Sequence, residues 1–348
     1  MKNILIVSLH FSPGFISHMS AWYKLCEQCG FMPLLYGDAQ YSKYYENTEY
    51  RFTTKAEIVE SFKPDFAVVQ NTGFENVKFF KWCKKKGCKI LYILHEPYMG
   101  FKELLKDGTY CLKQAVACIL NVWLCNRSEK VIVCSQYAED NCRRYMKEAY
   151  KKAVRFPLLF MDEFSEEGEE RKYFSLIGTY ATSKGSDLFL KFMKDSVSKG
   201  YKINFQIATR TNLTEQLKDE ILQRLVCDGK LIIQHGRNMS TDEINGAYRR
   251  SICCWNGYRR TTQSGVLPNA YMLGTPVLAT KLGSFREFVT PGQTGVFIDN
   301  ENTESIYQGY LKVKANSKEM SEECRKYFIE NFFYGSQEQR LKEIINSI

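Results

Sequence analysis

Short apolar and β-branched runs alternate with longer amphipathic runs from the start of the chain. NILIVSL (3–9) is followed by a helical period over 16–30, then by FMPLLY (31–36), DFAVVQ (65–70) and a helical 74–86. KILYIL (89–94), a long helical 109–126, VIVC (131–134) and a helical 135–150 continue the pattern. Strands alternating with helix-length crossovers predict a parallel sheet covered by helices on both faces. At 160–172 the pattern gives way to FMDEFSEEGEERK, an acidic stretch without apolar period, which reads as a domain boundary. The alternation then resumes with YFSLIG, a helix from Lys184, INFQIA, a helix around 213–226, KLIIQH and a helix opening at STDE. SICCW, a helix within 265–273, TPVLAT and GVFI complete it. Ser240 followed three residues later by Glu243 is a capping-box pattern, marking a helix start. Residues 321–348 are helical, rich in aromatics, and expected to return to the first domain. The expectation is an α/β protein of two Rossmann-like, doubly wound domains facing across a cleft. The first comprises 1–163 plus 321–348 and the second 164–320.

The 348 residues suffice for two self-supporting cores, and 44% hydrophobic with 25% charged residues excludes wholesale disorder. The formal charge of +9 is unevenly distributed. Between Lys78 and Arg155 there are 17 basic and 7 acidic residues, against 31 and 32 in the rest of the chain. These charges flank the apolar, Trp123-containing stretch 115–125, a pattern that suits a face on anionic lipid or a solvated basic surface over a buried helix. No recognition motif for nucleic acid accompanies them, so no nucleic-acid partner is expected. Thirteen irregularly spaced cysteines point to a reducing compartment, and the cytoplasm is expected, with a peripheral position on the inner membrane face as an extension. Cys26 and Cys29 form a lone CxxC in a helical stretch, read chiefly as buried small hydrophobes. The amino terminus reads as a strand rather than a signal peptide, and no apolar run approaches the roughly twenty residues of a membrane span.

Open α/β sheets bind ligands beyond the carboxyl ends of their strands, so chemistry is sought in the strand-to-helix loops. LHFSPGF (9–15) follows the first strand, with Gly14 giving close backbone approach and Phe15 opening the helix. KILYILHEP delivers His95 and Glu96 to a strand end, where a histidine accepts a proton or orients a hydroxyl. His95 is favoured for function over His10, His18 and His235, its competing role being a hydrogen bond to a neighbouring carbonyl. In the second half, Gly178 and Gly185 bracket a polar loop ending at Lys184, a simple phosphate clamp. In WNGYRRTTQSGVLPNAY (255–271), Gln263, Ser264, Gly265 and Val266 introduce a helix whose first amides suit a diphosphate. Asn269 is placed one turn on for a sugar hydroxyl, and Arg259 and Arg260 precede the turn as cations or as solvated side chains.

NAYMLGTPVLATKLGSFREFVTPGQTGVFID, with Gly274, Pro276, Val277, Gly283, Glu287 and Gly295 in register, resembles the second-domain signature of GT-B glycosyltransferases of the family-four, group 1 type. IGTYATSKGSDLFLKF resembles the same family's Gly-Arg-Leu…Lys-Gly element. Three positions depart from the family pattern. Thr261 and Asn269 stand where the family has paired glutamates, and Thr179 replaces a diphosphate-binding arginine, while Lys184 is kept. TTQSGVLPNAY looks like a variant of the family that lacks the paired Glu motif.

The resemblance implies sugar transfer from a nucleotide diphosphate donor, UDP- or GDP-linked, to a glycan or lipid-linked acceptor hydroxyl. It also implies retention of configuration, no bound metal and no cofactor beyond the donor substrate. Lys184 and the amides of 263–266 would stabilise the departing diphosphate, with Arg259 or Arg260 assisting. His95 would act at the reacting centre and, with Glu96, on the acceptor side. Glu287 would bond a hydroxyl or hold its own turn. The expected role is surface polysaccharide or lipid-linked glycan synthesis. The lost glutamate and arginine positions motivate one alternative, a non-catalytic nucleotide-sugar-binding or partner subunit; a GT-B-fold epimerase, which would use similar donor contacts with His95 and Glu96 as its acid/base pair, is another.

Overall fold

The computed structural model describes residues 1–95, 111–165, 170–261 and 264–348. The chain divides into two compact units, residues 1–161 with 331–348, and residues 162–330. The first contains a seven-stranded sheet of order β3-β2-β1-β4-β5-β6-β7. Its strands are β1 (Asn3–Ser8), β2 (Met32–Gly37), β3 (Phe52–Thr53), β4 (Phe66–Val69), β5 (Lys89–Ile93), β6 (Lys130–Val133) and β7 (Ala153–Arg155). Every pairing is parallel. The near-continuous apolar character of NILIVS and FAVV follows, because helices cover both faces of such a sheet. β3 and β7, two and three residues long, escaped the apolar pattern because they are short edge strands.

The second unit has a six-stranded sheet of order β10-β9-β8-β11-β12-β13. Its strands are β8 (Tyr173–Ile177), β9 (Asn204–Ala208), β10 (Leu231–Gln234), β11 (Ser251–Asn256), β12 (Val277–Ala279) and β13 (Gly295–Phe297). All five pairings are parallel. In both sheets the strand order reverses beside the first strand, between β1 and β4 and between β8 and β11. The carboxyl ends of these four strands therefore define the switch points at which doubly wound sheets hold ligands.

Three expectations change. The return to the first unit falls at 331 rather than 321, because the helix Ser317–Asn331 buries Met320, Cys324 and Phe328 and joins Asp162 through Arg325 at 2.9 Å. The first boundary lies two residues earlier than 163 for the same reason, since Asp162 is held by that ion pair. The helix expected over 213–226 shortens to Glu220–Cys227, because the Asp219 carboxylate caps Ile221 and Leu222. The Ser240–Glu243 capping box is present, with Glu243 N–H donating to Ser240 Oγ at 3.2 Å and Ser240 N–H to Glu243 Oε2 at 2.8 Å. The last helix, Glu338–Asn346, sends Leu341, Ile344 and Ile345 into the first unit's core. Cys26 and Cys29 are buried and burial raises both thiols, Cys29 to about 11, which is the behaviour of small core hydrophobes.

Candidate functional site

In the first unit the loop after β1 is held by Tyr41, whose hydroxyl lies 2.9 Å from Ser8 Oγ and accepts the Ser12 N–H at 2.9 Å. Gly14 opens the helix Phe15–Gln28 with φ −64°, and a Cβ built on it meets nothing within 4 Å. The fold therefore does not demand glycine at this position. Phe15 reaches across to the end of β5, its ring 5.0 Å from that of His95. His95 is pushed down to about 3, first by burial, then by the neighbouring His18, against a hydrogen bond to the Gln70 backbone. It is thus a neutral imidazole at physiological pH, suited to hydrogen bonding rather than to carrying charge. Glu96 lies outside the described residues. The other histidines have different surroundings: His18 Nδ1 is 2.7 Å from the Leu159 carbonyl, His235 Nδ1 accepts the Leu213 N–H, and His10 is exposed.

In the second unit Lys184 stands between β8 and the helix Ser186–Ser198. Its carbonyl accepts the Trp255 indole N–H at 3.2 Å, which fastens the turn to β11. Gly185 is required there, because φ is +62° and a Cβ would lie 2.1 Å from the Gly257 carbonyl oxygen. Lys184 is half-buried, and burial together with the nearby Arg210 lowers its pKa. Among the described residues no carboxylate pairs with Lys184, so the ammonium remains an uncompensated cation. Arg210 follows β9 and was missed by sequence reasoning. Only its place beyond a strand end signalled it, because nothing in INFQIATRT marks it as a neighbour of Lys184.

Arg259 and Arg260 lie beyond β11. Arg259 is committed to Asp187, whose carboxylate it holds below the usual range. The Ser264 hydroxyl lies 3.3 Å from Tyr258 OH and accepts the Val266 N–H at 3.3 Å, so one of the expected anion-binding amides is already occupied. Gln263 lies outside the described residues. Gly265, like Gly14, has negative φ and open space where a Cβ would stand. The helix Val266–Met272 is only seven residues long, with Asn269 half-buried on it. Glu287 is half-buried in the short helix Phe285–Phe288, and its carbonyl accepts Tyr327 OH at 3.4 Å. The structure thus gathers Lys184, Arg210 and Arg259 at the strand ends of the second unit, and Gly14, Phe15 and His95 at those of the first.

Residues 160–331 match the family model for glycosyl transferases group 1. The chain is a GT-B glycosyltransferase. Its fold is similar to that of HepE from Anabaena, solved in complex with UDP, at a TM-score of 0.75 and 13% identity, covering 100% of both chains. A glycosyltransferase from Rickettsia africae matches at a TM-score of 0.72 and 13% identity, covering 99% of this chain and 97% of the other. Sucrose-phosphate synthase from Thermosynechococcus elongatus matches at 0.71 and 10% identity, over 100% and 99%. Among curated proteins, none matches the glycosyltransferase in sequence. No helix among its described residues is long and apolar enough to cross a membrane.

Proposed function

We propose that this glycosyltransferase moves a sugar from a uridine diphosphate donor to an acceptor hydroxyl, with retention of configuration and with protein cations in the role of a metal clamp. One observation carries the donor-side reading: the half-buried Lys184 ammonium, beside Arg210 and without a carboxylate partner among the described residues. A partly desolvated cation left uncompensated is costly unless an anion joins it, and the departing nucleoside diphosphate is such an anion. The UDP bound by HepE, whose fold is shared, supports uridine as the nucleoside. In this reading His95 orients the reacting hydroxyls as a neutral hydrogen-bonding group. Gly14 and Gly265 leave room for the donor. Asn269 and Glu287 bond sugar hydroxyls. The decisive experiment is isothermal titration with UDP and GDP followed by an assay of donor consumption. UDP binding with turnover supports the proposal. Absence of nucleotide binding overturns it, and binding without turnover over a panel of acceptors favours a non-catalytic subunit.

We also propose a lipid-linked acceptor, reached from an anionic membrane surface. The helix Cys111–Arg127 exposes Val116, Ile119 and Val122 at one-turn spacing, Ile119 being 72% accessible. It packs on the helix Glu75–Lys86 through Phe80 and Trp123, 6.2 Å apart, and that helix carries exposed Lys78, Lys81, Lys84 and Lys85. Exposed aliphatic side chains flanked by lysines fit an interface of acyl chains and phosphate headgroups. Such a location would place the enzyme in surface polysaccharide or lipid-linked glycan synthesis on the cytoplasmic side.

A further inference from the structure

Two buried carboxamides stand out at the strand ends. Among the described residues, Gln70 and Asn256 are the only side chains whose amide nitrogen and oxygen are both buried and without a hydrogen-bond partner. Both residues are fully buried, at 0% exposure. A carboxamide removed from water with neither end paired carries the full desolvation penalty, and native folds seldom retain one without a reason. Their places are topologically equivalent. Gln70 directly follows β4 and Asn256 ends β11, and each of these strands flanks the first strand of its sheet at the point where the order reverses. The recurrence of the same defect at the switch points of two separate sheets argues against accidental packing.

Asn256 has the more informative surroundings. Strand alternation puts it on the face of β11 shared with Cys254 and opposite Trp255, which packs in the core. Cys254 is near enough to Lys184 to bear on its charge, and Lys184 Nζ lies 5.6 Å from the ring centre of Tyr258, two residues beyond Asn256. On either side of Asn256 the chain is pinned to the lysine turn, by the Trp255 bond to the Lys184 carbonyl and by the contact between Gly257 and Gly185. The backbone of Asn256 is therefore held beside the turn that carries Lys184. The side-chain NH2 would donate to an anionic oxygen, and the side-chain carbonyl would accept from a hydroxyl or N–H.

We infer that Asn256 is a donor-binding residue whose carboxamide acquires its partners when the nucleoside diphosphate enters, its NH2 donating to a phosphate oxygen. The inference rests on the donor reading proposed above. A binding role and a packing role differ in a measurable way. Replacing an orphaned amide by an apolar side chain of similar volume relieves the fold, whereas it deprives a ligand of a bond.

The test is Asn256→Leu, examined by thermal melting without ligand and by titration with UDP. The expected result is an unchanged or raised melting temperature and UDP affinity weakened at least tenfold. Affinity within twofold of the native protein overturns the inference, as does a fall in melting temperature that accompanies the loss of binding. Selective 15N-asparagine labelling of the native chain supplies a readout independent of the variant's folding. One side-chain amide pair, assigned by its absence from Asn256→Leu or from Asn256→Ser, must shift on addition of UDP, and an unmoved pair overturns the inference. If the native chain binds neither UDP nor GDP, the donor reading itself fails. Native binding that is indifferent to residue 256 removes only the role of Asn256.

Discussion

Arg259 grips Asp187 with both terminal nitrogens, at 2.6 and 2.8 Å, and gives a further N–H to the Thr182 carbonyl at 2.7 Å. The guanidinium thereby ties the loop after β11 to the turn that carries Lys184, and its charge is spent on the pair. Both side chains are over a third accessible, 34% and 42%, so the stabilisation is small, on the order of 1 kcal/mol or less. Arg259→Ala is expected to lower the melting temperature slightly and to change UDP affinity less than threefold. Lys184→Ala should weaken UDP binding at least tenfold. Titration calorimetry on the two variants checks the ranking, and the reverse order would make Arg259 the donor's principal cation.

The buried histidines of the first unit predict that it loses stability in acid. His95 titrates near 3 in the fold and near 6.5 when unfolded, and His18 is shifted in the same direction by burial. Between those values the unfolded chain holds the extra proton. Stability is therefore fully present above about pH 6.5 and is lost as pH falls, by up to about 1.4 kcal/mol per pH unit for each such histidine. His95→Gln should flatten the decline in melting temperature between pH 7 and pH 5, and should lower turnover at least tenfold at neutral pH. An unaltered pH slope would mean that His95 does not titrate as the structure implies, and an unaltered rate would remove it from the reacting centre.

The sequence made the two sheets legible because their central strands are apolar on both faces, and FAVV or SICCWN admits little else. It also revealed Ser240 and Glu243 as a helix start, since that bond pattern is local. The exchange point at 331 was not legible, because it depends on Arg325 meeting Asp162, far away in sequence. Lys184 was found through its glycine neighbours, yet Gly185 is explained by its left-handed φ and its closeness to Gly257 alone. The more informative glycines, Gly14 and Gly265, are distinguished by what does not surround them. The pairing of Arg259 with Asp187, the proximity of Arg210 to Lys184 and the orphaned amide of Asn256 are tertiary facts with no one-dimensional trace.

Gly14 supplies a separation of stability from function. Its φ of −64° suits any residue, and its missing side chain leaves open space. Alanine there costs the fold nothing sterically and narrows the unfolded ensemble, which is worth about 0.4–1 kcal/mol at compatible sites. Gly14→Ala should therefore melt at the same or a higher temperature while its turnover falls several-fold with a raised donor KM. A fully active Gly14→Ala would show that the space above the loop is not used by substrate.

The membrane reading turns on Ile119, 72% exposed on a helix flanked by lysine side chains. A single exposed isoleucine adds little to the fold, so Ile119→Glu is expected to leave the melting temperature nearly unchanged. In an interface the same change removes an aliphatic anchor and places a carboxylate among anionic headgroups. Each lysine near such a surface contributes about 1 kcal/mol, so reversing Lys84 and Lys85 to glutamate should weaken binding by well over tenfold. Sedimentation with vesicles containing a third phosphatidylglycerol measures both effects. Binding by the native chain that falls with added salt and with either substitution is the expected pattern. Native protein that remains in the supernatant at low salt would return these lysines to the role of a solvated basic face.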